Sequence, residues 1–530
     1  MNTVAGLPQS FAAKQRARKP RISSDQSIKL FFGSNALVAI VVLALITIFL
    51  FRDGFGFFGQ NLTNIRFYRQ SGLEYVDLIR KHADAHAALS RGLSTIRLRQ
   101  VRSAQLASVP LENINASLAS FDVFATAFSD SAEPLNGLVS DSGDLASELK
   151  AQLAARGGLI DQKADLEESG AAGEAARVNV PTVAQEQTMT TLRESTPAFE
   201  AAAATIQTQV EALLASAPEL PDAGVQKAFG QWKQRAREYL RGLASGGSEL
   251  RAWSPDAPVP WYRAITSFLF GRDWVTASFW QDWYGIIPLF VGSLMVSVVA
   301  LAFAVPFGVT SAIYVSEVAS PREKRFIKPY IEFISAIPSV VLGFFGIAVV
   351  GQAVRAASES SWFKWVSFFP LSERLNVFTA GLLLALMAVP TIFTLSEDAL
   401  RNVPRGFKEA SYALGANRLQ TIARVLVPAS LSGIVSAILL GLGRVIGETM
   451  VVLLCAGNRI AIPDFTEGLG AFFQPVHTMT GIIAQEMGEV VRGSIHYRAL
   501  FMVGLVLFVL TLGINYLAQR LVARYRMSIG

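Results

Sequence analysis

The sequence is poor in the residues that form disulfides and metal sites. Its 530 residues include one cysteine, Cys455, and four histidines. An intramolecular disulfide is therefore excluded, and because Cys455 lies in an apolar run we expect it to be a small packing residue. The phosphate-cradling pattern G-x4-G-K-[ST] is also missing, so we expect no catalysis by this chain and no bound cofactor, with any ATP hydrolysed by another protein.

Residues 60–250 lack both strand-like alternation and any apolar run long enough to cross a membrane. Their periodicity is helical. Apolar side chains repeat at spacings of 4-3-4-3-4 at Val225, Phe229, Trp232, Ala236, Tyr239 and Leu243, and every seven residues at Leu192, Phe199, Ile206 and Leu213. Asp222 is placed to cap the first of these two helices. The pattern predicts a soluble bundle of four or five helices.

Two of the four histidines, His82 and His86, would share one face of a helix, with Asp84 between them. This spacing permits a metal pair, but two ligands without further partners do not make a zinc site. We therefore expect solvated surface histidines and no metal.

The remaining chain contains six apolar runs, each long enough to span a membrane. A run of 22 residues rises about 33 Å as a helix, close to the roughly 30 Å of a hydrocarbon layer. The first run lacks the cleavage site of a signal peptide, so we expect it to be retained. The predicted spans are residues 30–51, 286–314, 327–351, 375–395, 425–455 and 500–521.

The basic residues, which give a net charge of +6, flank these spans. They concentrate in residues 1–29, 318–328, 396–424 and 521–530, which six crossings place on one side. By the positive-inside rule that side is the cytoplasm, so tails 1–29 and 522–530 are predicted on the cytoplasmic side of the inner membrane. The insertion 52–260 and an aromatic segment 261–285, expected at the membrane interface, are predicted outside. Topology explains the positive charge better than nucleic-acid binding.

A charged stretch, residues 398–424, separates the fourth and fifth predicted spans. The sequence from Glu409 in this stretch to Pro428 in the fifth predicted span, EASYALGANRLQTIARVLVP, predicts a short helix ended by Gly415 and a second amphipathic turn. The stretch resembles the EAA loop of ABC-transporter permeases, E-A-A-x3-G-x9-I-x-L-P. The alternative is an ordinary amphipathic loop.

This resemblance implies that the loop docks into a groove of an ATP-hydrolysing subunit. At the positions of the pattern that the resemblance assigns to coupling, this sequence has Glu409, Ala410, Ser411 and Gly415. Ser411 departs from the pattern, as do Val425 and Val427 further along.

Most of the charge within the predicted spans lies in the segment GRVIGET, residues 443–449. Arg444 and Glu448 would lie on one helix face, where they can form an ion pair. Ionisable residues within a span commonly line a transport path, and a guanidinium suits an oxyanion. We therefore predict a substrate path at Arg444, Glu448 and Thr449. The alternative is a purely structural salt bridge.

Three further motifs extend the resemblance over residues 260–520. The segments IEFISAIPSVVLGFFG, GRVIGETM and AGN are similar to the phosphate-permease branch, and the last two to its PstC type. The resemblance implies an all-α, six-span, MetI-like permease with an added extracytoplasmic helical bundle. It also implies membrane lipid, phosphate, a second, PstA-like permease, two copies of a PstB-like ATPase and a PstS-like extracytoplasmic phosphate-binding protein as partners.

Two other functions stay open from the sequence. The same architecture can import another oxyanion, such as sulfate or molybdate. A helical outer domain between two spans also suggests a sensory receptor, although four further spans and the lack of a long signalling coiled coil argue against it. The large insertion departs from short-loop members of the branch, and the resemblance implies nothing about its role.

Overall fold

A computed structural model describes residues 24–106, 109–363, 366, 368–371 and 373–526. Most of the predicted amino-terminal tail and the end of the carboxyl-terminal tail lie outside the described residues.

The first part of the chain forms long helices. These are α1 Ser24–Gln70, α2 Leu73–Leu106, α3 Leu111–Asp130, α4 Glu133–Glu168, α5 Ala172–Ala175, α6 Gln185–Ala215 and α7 Ala223–Ala252. The first predicted span ends at residue 51, but its helix is longer, because α1 continues through Arg52 and Asp53 to Gln70. The five long helices after α1 form the helical insertion.

The insertion packs around one apolar core built from the predicted periodic positions. Leu192, Phe199 and Ile206 of α6 are fully buried, as are Phe229 and Trp232 of α7. The Trp232 indole also donates a hydrogen bond to the carbonyl oxygen of Leu89, 2.8 Å away. As the sequence predicts, the Asp222 carboxylate caps α7 by accepting from the Val225 amide at 2.9 Å. The predicted helical bundle is therefore confirmed in its architecture.

The aromatic segment after the insertion, predicted at the membrane interface, has both buried and exposed side chains, with Tyr262, Phe270 and Phe279 exposed. It contains helix α8 Tyr262–Leu269 and a hairpin of strands β1 Trp274–Val275 and β2 Trp283–Tyr284, with Trp274 opposite Tyr284. Both of these residues are buried, whereas Trp261 is 70% exposed. The hairpin lies between the insertion and the remaining helices.

The rest of the chain forms the membrane helices and their connections. They are α9 Ile287–Ile313 with a π-helical end Tyr314–Val318, α10 Pro321–Ile334, α11 Ser339–Phe345, a π-helical turn Gly346–Val350, α12 Gly351–Glu359, a 3-10 turn Ser361–Phe363, α13 Val377–Arg401, α14 Arg405–Ala413, α15 Arg418–Thr421, a π-helical turn Ile422–Leu426, α16 Val427–Ile446, α17 Met450–Cys455, a 3-10 segment Phe465–Phe473, α18 Met479–Glu486 and α19 Ile495–Arg526.

Six helical segments of the described chain are long and apolar enough to cross a membrane. They are Phe31–Gln70, Ile287–Val318, Ser339–Glu359, Val377–Arg401, Arg418–Ile446 and Ile495–Arg520. The predicted number of spans is confirmed.

Two predicted spans have the wrong boundaries. The third was expected at residues 327–351, but its first part belongs to the separate amphipathic helix α10, and the span begins at Ser339 after Pro338. The fifth was expected to continue to residue 455, but α16 ends at Ile446 and a turn separates it from α17. Hydropathy alone detects neither the break at Pro338 between α10 and α11 nor the turn between α16 and α17.

Helix α9 connects two ends of the molecule. Its first residues follow the hairpin that contacts the insertion, and its last residues contact the 405–421 segment. The insertion and the predicted coupling segment therefore lie at opposite ends of this helix. Cys455, fully buried beside Gly343 of α11, is the packing residue that the sequence predicts.

Candidate coupling and transport sites

The predicted coupling residues lie on a helix–turn–helix that the structure forms from α14 and α15. Helix α14 ends at Ala413, and Gly415 follows with φ at +82°, a left-handed conformation in which other L-residues are strained. Asn417 then caps α15, its side chain accepting from the Gln420 amide at 2.9 Å. The predicted helix end at Gly415 is confirmed.

Ser411 joins the two short helices from within. It is buried, and its hydroxyl is 2.9 Å from the Thr421 hydroxyl of α15. The serine that replaces the second alanine of the pattern therefore connects α14 to α15. Glu409 and Ala410 are exposed, and Leu414 and Leu419 expose 89% and 73% of their surfaces. This surface of polar and apolar side chains is open to a partner protein.

Glu317, which the sequence analysis did not select, links the coupling segment to the end of α9. Its carboxylate pairs with the Lys408 ammonium of α14, and its carbonyl oxygen accepts from the Arg418 guanidinium of α15. The side chain of Glu317 is only 9% exposed. A sequence signal existed, because a carboxylate directly after an apolar run is expected to find a cation.

A second acidic residue, Glu397, is fully buried near the end of α13. Its carboxylate accepts from the Lys328 ammonium of α10 at 2.8 Å and lies 3.3 Å from the Arg401 guanidinium. These contacts hold α10 against α13. A buried carboxylate that loses one cation is costly, so we assign this cluster to packing of the helix ends near the coupling segment.

The predicted ion pair between Arg444 and Glu448 is not formed, because the helix ends between them. Gly447 terminates α16, so Glu448 is no longer on the same helical face as Arg444. The Glu448 carboxylate instead accepts from the Met450 amide at 3.1 Å at the start of α17. Thr449 precedes that helix, and its hydroxyl is 3.5 Å from the Gly447 carbonyl oxygen.

Arg444 itself is exposed on α16. Its guanidinium lies 3.4 Å from the Thr391 hydroxyl of α13 and has no acidic partner among the residues that the structure describes. An exposed arginine at the end of a span keeps most of its donors free. That arrangement suits a planar, charge-assisted contact with an oxyanion.

The prediction of surface histidines is wrong, because His82 and His86 both face the core of the insertion. They are 7% and 1% exposed. His86 stacks on the Phe128 ring at 4.3 Å, and its Nε2 lies 2.8 Å from the Phe128 carbonyl oxygen. Within the described ranges, no group of three or more potential ligands is arranged to bind a metal.

Residues 304–527 match the family described as binding-protein-dependent transport system inner membrane component. A similar curated protein is the probable ABC transporter permease protein YqgH of Bacillus subtilis. It is 35% identical over 242 residues, which are 45% of this chain and 72% of that protein. The chain belongs to the binding-protein-dependent permeases of ABC transporters.

Other relatives of this permease are of the PstC type. The phosphate transport system permease protein PstC of Pasteurella multocida is 32% identical over 272 residues, 50% of this chain and 82% of that protein. The PstC protein of Haemophilus influenzae is 31% identical, and the match covers 49% of this chain and 84% of that protein. The predicted PstC-type resemblance is therefore confirmed.

Among solved structures, the permease is similar to a chain of the inward-facing MetNI methionine ABC transporter. The identity is 20%, the TM-score is 0.33, and the match covers 46% of this permease and 94% of that chain. The family match begins at residue 304 and leaves the helical insertion outside it. Permeases of this kind are membrane subunits of importers and are not enzymes.

The buried histidines predict that the insertion loses stability in acid. Burial lowers the pKa of His86 and of His82 below the usual 6.5, because the charged imidazolium is poorly solvated there. The unfolded insertion then binds more protons than the folded one, so its free energy of unfolding falls as the pH drops below about 6.5. Hydrogen-exchange protection factors in α2 and α7 of the full-length protein, corrected for the intrinsic exchange rate at each pH from 7.5 to 5, check this.

The matched variant for this prediction is His86→Gln combined with His82→Gln. Glutamine offers an amide donor toward the Phe128 carbonyl but does not titrate in this range. We expect the acid-induced loss of protection to shrink in the double variant. An undiminished pH dependence would assign the effect to other groups.

Proposed function

We propose that this permease is the PstC-like subunit of an ATP-driven phosphate importer. The observation that carries the proposal is Arg444, an arginine at the end of a membrane span whose guanidinium lacks an acidic partner among the described residues. The names of the PstC relatives supply phosphate as the oxyanion. In this proposal Arg444 binds phosphate along the path, and Glu448 and Thr449 line it nearby.

The transport mechanism in this proposal is alternating access. One of two copies of a PstB-like ATPase docks on the α14–α15 surface around Glu409, Ala410, Ser411 and Gly415. ATP-driven closure of the ATPase moves this surface, and the contacts of Glu317 pass the movement to α9. The path between this chain and a PstA-like permease then opens first to one side and then to the other.

The orientation follows from the positive-inside rule. The coupling surface and both termini face the cytoplasm, and the insertion and hairpin, residues 52–285, face outward from the inner membrane. A PstS-like binding protein delivers phosphate on that outer side. ATP is bound by the partner subunits, and this chain binds no cofactor.

Reconstitution tests this function. The permease is incorporated into vesicles with a PstA-like permease, a PstB-like ATPase and a PstS-like binding protein encoded by the same organism. We expect ATP-dependent uptake of labelled phosphate that excess unlabelled phosphate suppresses and excess sulfate or molybdate does not. Equal suppression by sulfate or molybdate would reassign the cargo, and uptake without ATP would reject the importer mechanism.

A further inference from the structure

The loop of the hairpin, residues 276–282, is held by the helical insertion. The Trp280 indole donates a hydrogen bond to the Asp77 carboxylate of α2 at 2.9 Å. The Arg80 guanidinium lies over the same ring, 3.7 Å from its centroid. Gly143 of α4 forms another wall, since a Cβ at this position would lie 3.4 Å from the ring. Trp280 therefore occupies a site built by two helices of the insertion.

Two neighbouring contacts strengthen the attachment. The Lys150 ammonium of α4 donates to the carbonyl oxygens of Phe279 and Trp280. The Tyr68 ring, near the end of α1, meets the Trp283 ring edge to face at 5.2 Å. Three helices at the insertion end of the protein thus contact this one hairpin.

The other end of the hairpin belongs to the membrane helices. Trp274 and Tyr284 are buried in an apolar cluster with residues of α1, α18 and α19. Gly285 crosses Gly271 so closely that a Cβ on Gly285 would lie 2.3 Å from the Gly271 carbonyl carbon. Such a crossing admits no larger residue, so the strand after Trp283 is fixed in place.

Helix α9 begins immediately after this crossing. The amides of Ile286 and Ile287, at its start, donate to the carbonyl oxygens of Phe268 and Gly271 at 2.9 and 3.3 Å. The backbone is therefore hydrogen-bonded from the hairpin into the first turn of the helix. Residues 281–286 separate Trp280 from that turn, which begins at Ile287.

We propose that Trp280 is a positioning residue through which the helical insertion sets the start of α9 and thereby influences transport. The opposite end of α9 is held by the coupling segment through Glu317. Helix α9 is thus contacted at its end by the proposed ATPase-docking surface and at its start by the hairpin that the insertion holds. This gives the insertion, which lies outside the family match, a regulatory function.

Hydrogen exchange in the full-length permease tests the structural half of this proposal. In Trp280→Ala we expect the amides of residues 283–290 to exchange about tenfold faster, while α3 and α6 of the insertion stay unchanged. Trp261→Ala is the matched control, because Trp261 is 70% exposed. Faster exchange throughout the insertion, with an unchanged exchange rate at the start of α9, would show that Trp280 only stabilises the bundle and would overturn the proposal.

A double-mutant cycle with Lys150→Met sharpens the test. Lys150 contacts the hairpin from the insertion side, so its variant is expected to accelerate exchange in the same residues. If both side chains act through one connection, the effect of the double variant is smaller than the sum of the two single effects. Strictly additive effects would mean that two independent contacts are involved and would reject a single connection through Trp280.

Transport by the reconstituted importer tests the functional half and rests on the proposed phosphate function. We expect Trp280→Ala and Lys150→Met each to lower the uptake rate at least about threefold, with ATPase binding and Trp261→Ala uptake unchanged. Unchanged uptake in both variants would reject a regulatory role. Because exchange is measured without substrate, a wrong assignment of the cargo alters only the uptake arm.

Discussion

Replacing Arg444 with alanine is expected to reduce phosphate uptake roughly 10- to 100-fold while leaving the importer assembled. Hydrogen bonds to charged groups contribute about 1.5–3 kcal/mol, and each 1.4 kcal/mol corresponds to a factor of ten. The guanidinium is exposed, and among the described residues its hydrogen bond is to the Thr391 hydroxyl at 3.4 Å, so its removal leaves little of the fold without a partner. Initial rates of labelled phosphate uptake in vesicles measure the effect.

Two further variants separate charge from shape at this position. Arg444→Lys keeps the charge but loses the planar fork, and we expect uptake between wild type and Arg444→Ala. Arg355→Ala is the matched control, because Arg355 lies on another span and has its own partner, Glu359, at 3.3 Å. Wild-type uptake by an assembled Arg444→Ala importer would remove Arg444 from the transport path.

Reversing the charge of Glu317 is expected to uncouple the permease from its ATPase. In Glu317→Lys two ammonium groups meet where Glu317 and Lys408 now pair. The Glu317 side chain is 9% exposed and that of Lys408 37%, so water screens the repulsion only in part, and we expect uptake to fall at least about tenfold, equivalent to about 1.4 kcal/mol. ATP hydrolysis by the complex should continue without being stimulated by the loaded binding protein.

Exchanging the charges of Glu317 and Lys408 tests whether this ion pair connects α14 to α9. The double variant Glu317→Lys with Lys408→Glu is expected to recover much of the lost uptake. Glu359→Lys, an exposed charge reversal on α12, serves as the control and should transport normally. If the double variant is as inactive as Glu317→Lys alone, the ion pair is not what connects α14 to α9.

The helical insertion was predictable because its apolar residues repeat with a helical period. Phe229 and Trp232, taken from spacing alone, are fully buried, and Asp222 caps the helix that contains them. Its histidines were not predictable in the same way. His86 is polar but reaches a single carbonyl oxygen inside the bundle, and periodicity does not show that such a partner is present.

The membrane region shows a similar division. Hydropathy predicted the correct number of spans, but not the turn at Gly447 that separates Arg444 from Glu448. Glycine is common within membrane helices, so a glycine in the sequence does not by itself predict that the helix ends there. A spacing of four residues implies a shared face only where the helix is continuous, and here it is not.

The helix–turn–helix of α14 and α15 was predicted in part. Gly415 was assigned correctly from the rule that glycine ends helices in a left-handed conformation. The link from Lys408 to Glu317 joins residues 91 positions apart in the chain. No local pattern records such a pairing, which depends on how α9 and α14 meet in three dimensions.

Helix α1 has a mechanical consequence that follows from its length. Its 47 residues form one continuous rod of about 70 Å, which begins beside α19 in the membrane region and ends within the insertion. Tilting such a rod by about 10° about one end moves the other end by about 12 Å. Small changes in the inclination of the first span are thus magnified into large displacements of the domain that it carries.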